Sequence, residues 1–494
     1  MNGRALLAAA SALTLAACAA GPAPEIATPM PVLPESYLYA PDAQTGAALG
    51  ALLPVADPAF DTLAAQALAS SPTLAEAAAR VEQARAGAQR AGAERLPSVG
   101  ANASVTGQRT NPDQFGSNLP AGLSIDTERV AYAANITARW DPDLFGRLRA
   151  QERAALARID QADASARAVR LALLAEIAAS VIDWRTLEAR DAAIRDDLSS
   201  ATELARLAGV RERAGIAPGF DRVRAESAAA ASRSRLAALD SERARLTGRL
   251  VTLTAQGGEQ VRASLAQQPQ DVAMAASVVT LPSSLLSNRP DVLAAASALA
   301  AQDAELAATA RQRFPVFNLS GAIGLLAFGI GNLFDADSLV GSLAASVAAP
   351  LLDFGRIEAE IAASAAQKKA AFEAYRGTVY TALGDAEAGY GLVAGADAEA
   401  RAADHEAASL QRAARLANTR YEAGLADFLT VLEARRAADA SGERAAAALG
   451  RARRARVILW QALGGDPPNS PQMVAPPSTT MVWPVVQRAA GEAR

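Results

Sequence analysis

Few side chains in this 494-residue sequence could carry covalent or acid–base chemistry. Its one cysteine, Cys18, closes an apolar stretch: Arg4 supplies a short positive region, Ala5 to Ala17 are almost wholly apolar, and Leu15-Ala16-Ala17 precede the thiol. A stretch of that shape is an export signal. Cys18 is then either a lone thiol in an alanine-rich leader or the residue of a lipoprotein processing box. In the second reading residues 1–17 are removed and Cys18 becomes the lipidated start of the mature chain. Its uniqueness, its place at the end of the apolar core and its small neighbours favour lipidation. One lipid gives limited membrane affinity alone, so a second membrane-attached element is expected elsewhere. The single histidine, His405, lies in a long polar helical stretch, where it reads as a surface residue. No cysteine pair or cluster with metal-ligand spacing is present. The expectation is a protein that is not an enzyme and has no cofactor beyond the lipid on Cys18.

One spacing points past ordinary packing. Leu425, Phe428, Leu429 and Leu432 recur at helical intervals as an apolar stripe, and Leu429, Glu433 and Arg436 share a second ridge. Taken alone, this is a core leucine beside a surface ion pair of modest worth.

The elements that would position these residues form a duplicated plan. Arg95-Leu96-Pro97 leads through an alternating segment to Leu144-Phe145-Gly146-Arg147 and then a long proline-free run. Arg313-Phe314-Pro315 leads likewise to Asp353-Phe354-Gly355-Arg356 and a still longer one. Gly146 and Gly355 are 209 positions apart, and so are Gly215 and Gly424. An internal duplication follows. We divide the chain into a signal at 1–17, an extended segment at 18–56 and a first repeat at 57–255. A linker at 256–287, a second repeat at 288–463 and a tail at 464–494 complete it. In the first repeat Val99, Ala101, Ala103 and Val105 alternate with small or polar residues, predicting strands near 98–108 and 130–140. The second repeat predicts strands near 315–330 and 338–350. The helix after Gly146, read as about 60 residues, would be about 90 Å long, which no compact domain holds. A coiled-coil or helical-tunnel architecture is expected.

Composition narrows the partners. With 48 basic and 52 acidic residues and a net charge of -4, no concentrated basic block invites nucleic acid. After the signal no run of about 18 apolar residues would form a membrane helix. The four strands are too few to close a barrel, and open edges are not tolerated in lipid. Each strand is nonetheless long enough for a tilted crossing of an outer membrane. Oligomerisation resolves the conflict.

Several pieces together resemble the outer-membrane efflux protein family of TolC-like channels, and within it the NodT-type lipoproteins that serve resistance-nodulation-division pumps. They are Leu15-Ala16-Ala17-Cys18, Ser71-Pro72-Thr73-Leu74, Trp140-Asp141 with Leu144-Phe145-Gly146-Arg147, and Leu281-Pro282-Ser283-Ser284-Leu285-Leu286. Arg289-Pro290-Asp291, Leu352-Asp353-Phe354-Gly355-Arg356 and Arg420-Tyr421-Glu422-Ala423-Gly424-Leu425 complete the set. The resemblance spans about residues 50 to 465. It implies a homotrimer whose twelve-stranded β-barrel, four strands per chain, stands in outer-membrane lipid and continues as a periplasmic α-helical barrel. It also implies a periplasmic adaptor and an inner-membrane pump as partners. In such channels the positions matching Leu429, Glu433 and Arg436 hold a leucine ring, an acidic ring (commonly aspartate) and an arginine that ties the closed helices. The turns at Gly215 and Gly424 would then sit where the adaptor docks, or be plain helix–helix turns. The function implied is passive export of drugs or other small toxic compounds through a duct gated at its periplasmic end. A duct for secreted protein and a pore-free periplasmic scaffold are the alternatives.

Overall fold

The computed structural model describes residues 24–41, 48–109, 111, 128–270 and 278–465. In chain order the elements are α1 (Pro58–Ser70), α2 (Pro72–Ala93), β1 (Ser98–Arg109) and β2 (Glu128–Trp140). Next come α3 (Arg147–Arg213), α4 (Gly219–Thr254), α5 (Gly258–Leu265), the single turn α6 (Leu285–Asn288) and α7 (Pro290–Ala310). β3 (Val316–Ala327), β4 (Leu339–Ala348), α8 (Arg356–Glu422) and α9 (Phe428–Ala462) follow. Among the described residues no helix is long and apolar enough to cross a membrane. Each repeat contributes one hairpin and one helix of 67 residues, slightly longer than the sequence spacing predicts. β3 and β4 are shorter than their alternation predicts, because the chain turns into short 3-10 segments at Ile330–Asn332 and Ala336–Ser338.

The chain divides into two units, and the first comprises the described residues within 24–30, 80–162 and 294–375. Its sheet is antiparallel throughout, in the order β1-β2-β3-β4. The two hairpins meet where β2 pairs β3, from Tyr132 opposite Ala327 to Trp140 opposite Leu319. β1 and β4 are exposed along their whole lengths, and each has one unpaired edge. At the foot of the sheet, Phe145 stacks on Phe314 with ring centroids 4.7 Å apart. The Arg311 Nε donates to the Phe145 carbonyl at 2.8 Å. Chain direction changes there through left-handed backbone: Gly146 has φ +75° and Gly355 φ +85°. Nearby carboxylates then satisfy the first free amides of the long helices. Asp143 accepts from the Leu148 and Arg149 amides at 2.9 and 2.8 Å, and Asp353 from the Ile357 amide at 2.9 Å. The two repeats place this acid one position differently. Below the sheet, Leu306, Ala310, Ile357 and Ile361 form a small core.

The second unit comprises the described residues within 31–79, 163–293 and 376–465. Leu187, Ile194, Leu239 and Leu246 lock α3 to α4. Two buried arginines pin the short elements. Arg185 holds Asp57 through Nε at 2.8 Å and Nη2 at 3.0 Å, and also reaches the Leu265 carbonyl at 2.9 Å. Asp57 in turn caps α1 by accepting from the Ala59 amide at 3.0 Å. Arg289 reaches Asp291, Asp385 and the Ala462 carbonyl. Burial pushes the Asp291 carboxyl up, but the Arg289 guanidinium outweighs it and holds the group below its usual range. The N-terminal segment lies against this unit: Tyr37 packs on Tyr390 with centroids 5.1 Å apart, and the Leu38 amide donates to Glu387.

Candidate functional site

The two glycine turns have the same construction. After α3, the Ile216 amide donates to the Arg211 carbonyl at 3.0 Å and the Gly215 amide to the Glu212 carbonyl at 2.9 Å. After α8, the Leu425 amide donates to Arg420 at 2.7 Å and the Gly424 amide to Tyr421 at 3.0 Å. This paired pattern terminates a helix through a left-handed residue, and Gly215 and Gly424 have φ of +71° and +75°. In the second turn Asp427 starts α9 by accepting from the Thr430 amide at 2.7 Å. Hydrogen bonds from Thr430 hold the Asp427 carboxyl below its usual range.

Beneath the turns, Leu204, Ala208, Ala225, Tyr421, Phe428, Val431 and Leu432 make a compact core. The Tyr421 ring meets Phe428 edge-on at 6.1 Å, and the Arg211 guanidinium lies 4.8 Å from its centre. This corrects the apolar stripe read from spacing. Phe428 and Leu432 are buried, but Leu425 is 69% and Leu429 38% exposed, and Val431 fills the core instead. The physical reason is angular: α9 turns one arc of about 100° toward its neighbours, and Leu429 falls outside it. Glu433 and Arg436 are exposed beside Leu429. They form no ion pair with each other among the described residues. The ridge Leu429, Glu433 and Arg436 is therefore an apolar and charged strip that the single chain leaves uncovered.

One turn further along α9 lies a polar cluster that the sequence reading missed. Asp197 of α3, only 8% exposed, accepts from Ser232 and Arg235 of α4. Arg235 also donates to Glu443 of α9, and Arg435 of α9 donates to Ser200 of α3. Burial and the neighbouring Asp197 push the Asp439 carboxyl of α9 up to about 8. A signal was present: Ser232 with Arg235, and Asp439 with Glu443, are polar pairs at helical spacing on alanine-rich helices. Their joining across three helices was not legible. Cys18 lies outside the described residues.

An antiparallel sheet with two free edges, joined to paired helices far longer than a compact domain needs, is an architecture suited to channels built from several chains. The family model for outer membrane efflux protein matches residues 63–256 and 281–465. The chain belongs to this family, and is accordingly an outer-membrane channel component of bacterial efflux systems, with a large helical region and no catalytic role. It is 32% identical over 412 residues to the pyoverdine export outer membrane protein OpmQ of Pseudomonas aeruginosa, covering 83% of this chain and 85% of that one. It is 26% identical over 475 residues to nodulation protein T of Rhizobium leguminosarum bv. viciae, covering 93% of each. Among solved structures, the outer-membrane channel OprN superposes with a TM-score of 0.80 at 25% identity, covering 90% of this chain and 98% of that one. Family membership sets aside the pore-free scaffold.

Proposed function

We propose that three copies of this chain close their sheets into one twelve-stranded barrel and export small toxic compounds passively, with a gate at Leu429, Glu433 and Arg436. The carrying observation is the sheet itself, whose four strands leave β1 and β4 with open edges. In lipid such edges must be paired, and further copies of the chain supply the strands that pair them. Cys18 carries the lipid that adds to this anchoring. The turns at Gly215 and Gly424 dock a periplasmic adaptor, which links the duct to a resistance-nodulation-division pump in the inner membrane. The export of pyoverdine by OpmQ, a relative, supports a small-compound cargo over a secreted protein.

The uncovered ridge supports the gate. Threefold symmetry turns each of its residues into a ring, so one side chain sets aperture and charge. Because Glu433 has no ion-pair partner among the described residues, the contact it makes in a closed ring is with a neighbour. Single-channel conductance of the reconstituted protein tests this for Leu429→Ala, Glu433→Ala, Arg436→Ala and the last two combined. Exposed pairs are each worth about 0.2–1 kcal/mol, and three acting together shift opening by roughly threefold to a hundredfold. A double variant short of additive places both charges in one contact. Unchanged conductance in all four, with assembly intact, puts the constriction elsewhere.

A further inference from the structure

We propose that Phe328 and Leu326, with Arg129 holding the phenylalanine in place, form a second constriction at the outer mouth of the barrel, an apolar ring that disfavours strongly hydrated solutes. The proposal rests on the closed-barrel reading, because a ring needs the same side chains from three copies.

The register sorts the sheet into two faces, since residues directly opposite one another point the same way. On one face Ile136 stands opposite Ile323, with Leu343 and Val105 on the same side, which suits lipid. On the other, Asn102 stands opposite Asn135, and Thr137 opposite Ala322, which in turn stands opposite Ser342. That polar face suits a wet lumen. Its large apolar side chains are few. Apart from Val316 at the helical end, they are Val340 and Leu326 in the outer third of the strands, and Phe328 just beyond β3. All three are exposed in the chain. The side taken by Phe328 is fixed by Arg129, whose guanidinium lies 4.4 Å from the centre of the ring. Arg129 belongs to the polar face, opposite Gln108. The neighbouring ion pair of Arg109 and Glu128, at 3.5 Å, belongs to the apolar face.

Twelve strands spaced about 4.8 Å apart and tilted about 40° give a barrel wall with a radius of about 12 Å. On such a wall the longest side chains set the aperture. At the level of Leu326 the first hairpin turns only Ser104 and Ala133 to the polar face, and next to them Thr106 and Ala131. Phe328 and Leu326 therefore reach furthest inward, and the guanidinium against the Phe328 ring restricts its rotation. A strongly hydrated solute passing them gives up part of its water shell to side chains that return no hydrogen bond. An apolar or aromatic compound meets no such cost, so the ring favours that class of cargo.

Labelling of whole cells with a hydrophilic, membrane-impermeant maleimide added outside tests this without any flow through the periplasmic end. Ser342→Cys places a thiol on the polar face inward of the ring, and Leu343→Cys places one beside it on the apolar face. The chain with Cys18 alone gives the background. Combined with Ser342→Cys, Phe328→Ala and Leu326→Ala each speed labelling by about tenfold with the heat-modifiable trimer intact. Phe328→Leu keeps an apolar ring and stays near the parent rate, whereas Arg129→Ala frees the phenylalanine and gives an intermediate rate. Labelling of Ser342→Cys that is equal with and without Phe328→Ala and Leu326→Ala overturns the constriction. Leu343→Cys tests the barrel separately, because lipid shields that position once the sheet is closed. Strong labelling of Leu343→Cys overturns the barrel and the ring with it. A shielded Leu343→Cys, with Ser342→Cys indifferent to Phe328 and Leu326, leaves the barrel standing and removes the ring alone.

Discussion

Gly215 and Gly424 show how far single residues can be read. A Cβ placed on either meets nothing within 4 Å, so no packing argument requires glycine there. The backbone alone does, with φ of +71° and +75°. Gly424→Ala is therefore expected to cost about 1–2 kcal/mol, felt locally as faster amide exchange around the turn between α8 and α9. Gly424→Asn should cost less, because asparagine tolerates left-handed backbone. Equal exchange in all three proteins would mean that the turn is not held in this conformation in solution. These glycines were legible because the helix stop, the repeat spacing and the residue type agree. Arg185 was not. Its partner Asp57 is 128 residues away, and nothing local marks this arginine among many as a buried one. The same holds for Asp197, whose burial depends on α4 and α9 arriving beside it. Leu429 failed in the opposite way: helical spacing states which residues share a face, but not which way that face turns.

At the scale of elements, the period-two alternation found all four strands, because an antiparallel strand turns successive side chains to opposite faces of its sheet. It found their ends less well, since the chain leaves β3 through Phe328 and Gly329 without a change of polarity. Pairing between the two hairpins was not legible. Hairpin partners follow from adjacency, but β2 beside β3 joins segments far apart in sequence, and its register is fixed by close approach at one residue. A Cβ on Gly324 would fall 2.6 Å from the Asn135 Cα and closer still to the Ala134 carbonyl oxygen. Gly324→Val should therefore separate the two hairpins and abolish assembly, seen as loss of the heat-modifiable oligomer on electrophoresis. Gly341 in β4 is the internal control: its Cβ would meet the Ala322 carbonyl at 3.7 Å, an ordinary contact. Gly341→Ala should assemble as the parent does. If Gly324→Val assembles equally well, the register at Asn135 is not the one described.

For the whole molecule, the decisive quantity is the count of free sheet edges. A chain with four strands and two unpaired edges cannot stand alone in hydrocarbon, where each unsatisfied amide or carbonyl costs several kcal/mol. The direction of the missing pairing follows from the sheet. β1 leaves the helical end at Ser98, β4 returns to it at Ala348, and the strands alternate in direction, so in a barrel closed by further copies β4 of one would meet β1 of the next antiparallel. Val347 should then lie near the start of a neighbour's β1. Val347→Cys combined in turn with Val99→Cys, Ala101→Cys and Ala103→Cys samples the register in steps that keep one face of the strand. In at least one combination, oxidation of outer-membrane fractions should give a closed covalent trimer, which runs as three chains and returns to one on reduction. No pairing within a single chain does this, because β2 and β3 stand between the two cysteines. Done in the Cys18→Ser background, the same experiment separates barrel from lipid. Closed edges hold the protein in the membrane on their own, so cross-linked trimer should still appear in the outer-membrane fraction without lipid on residue 18. Trimer there with the lipid gone makes the barrel the principal anchor. Monomer released to the soluble fraction makes Cys18 the anchor and removes the reason to close the sheet through neighbouring chains.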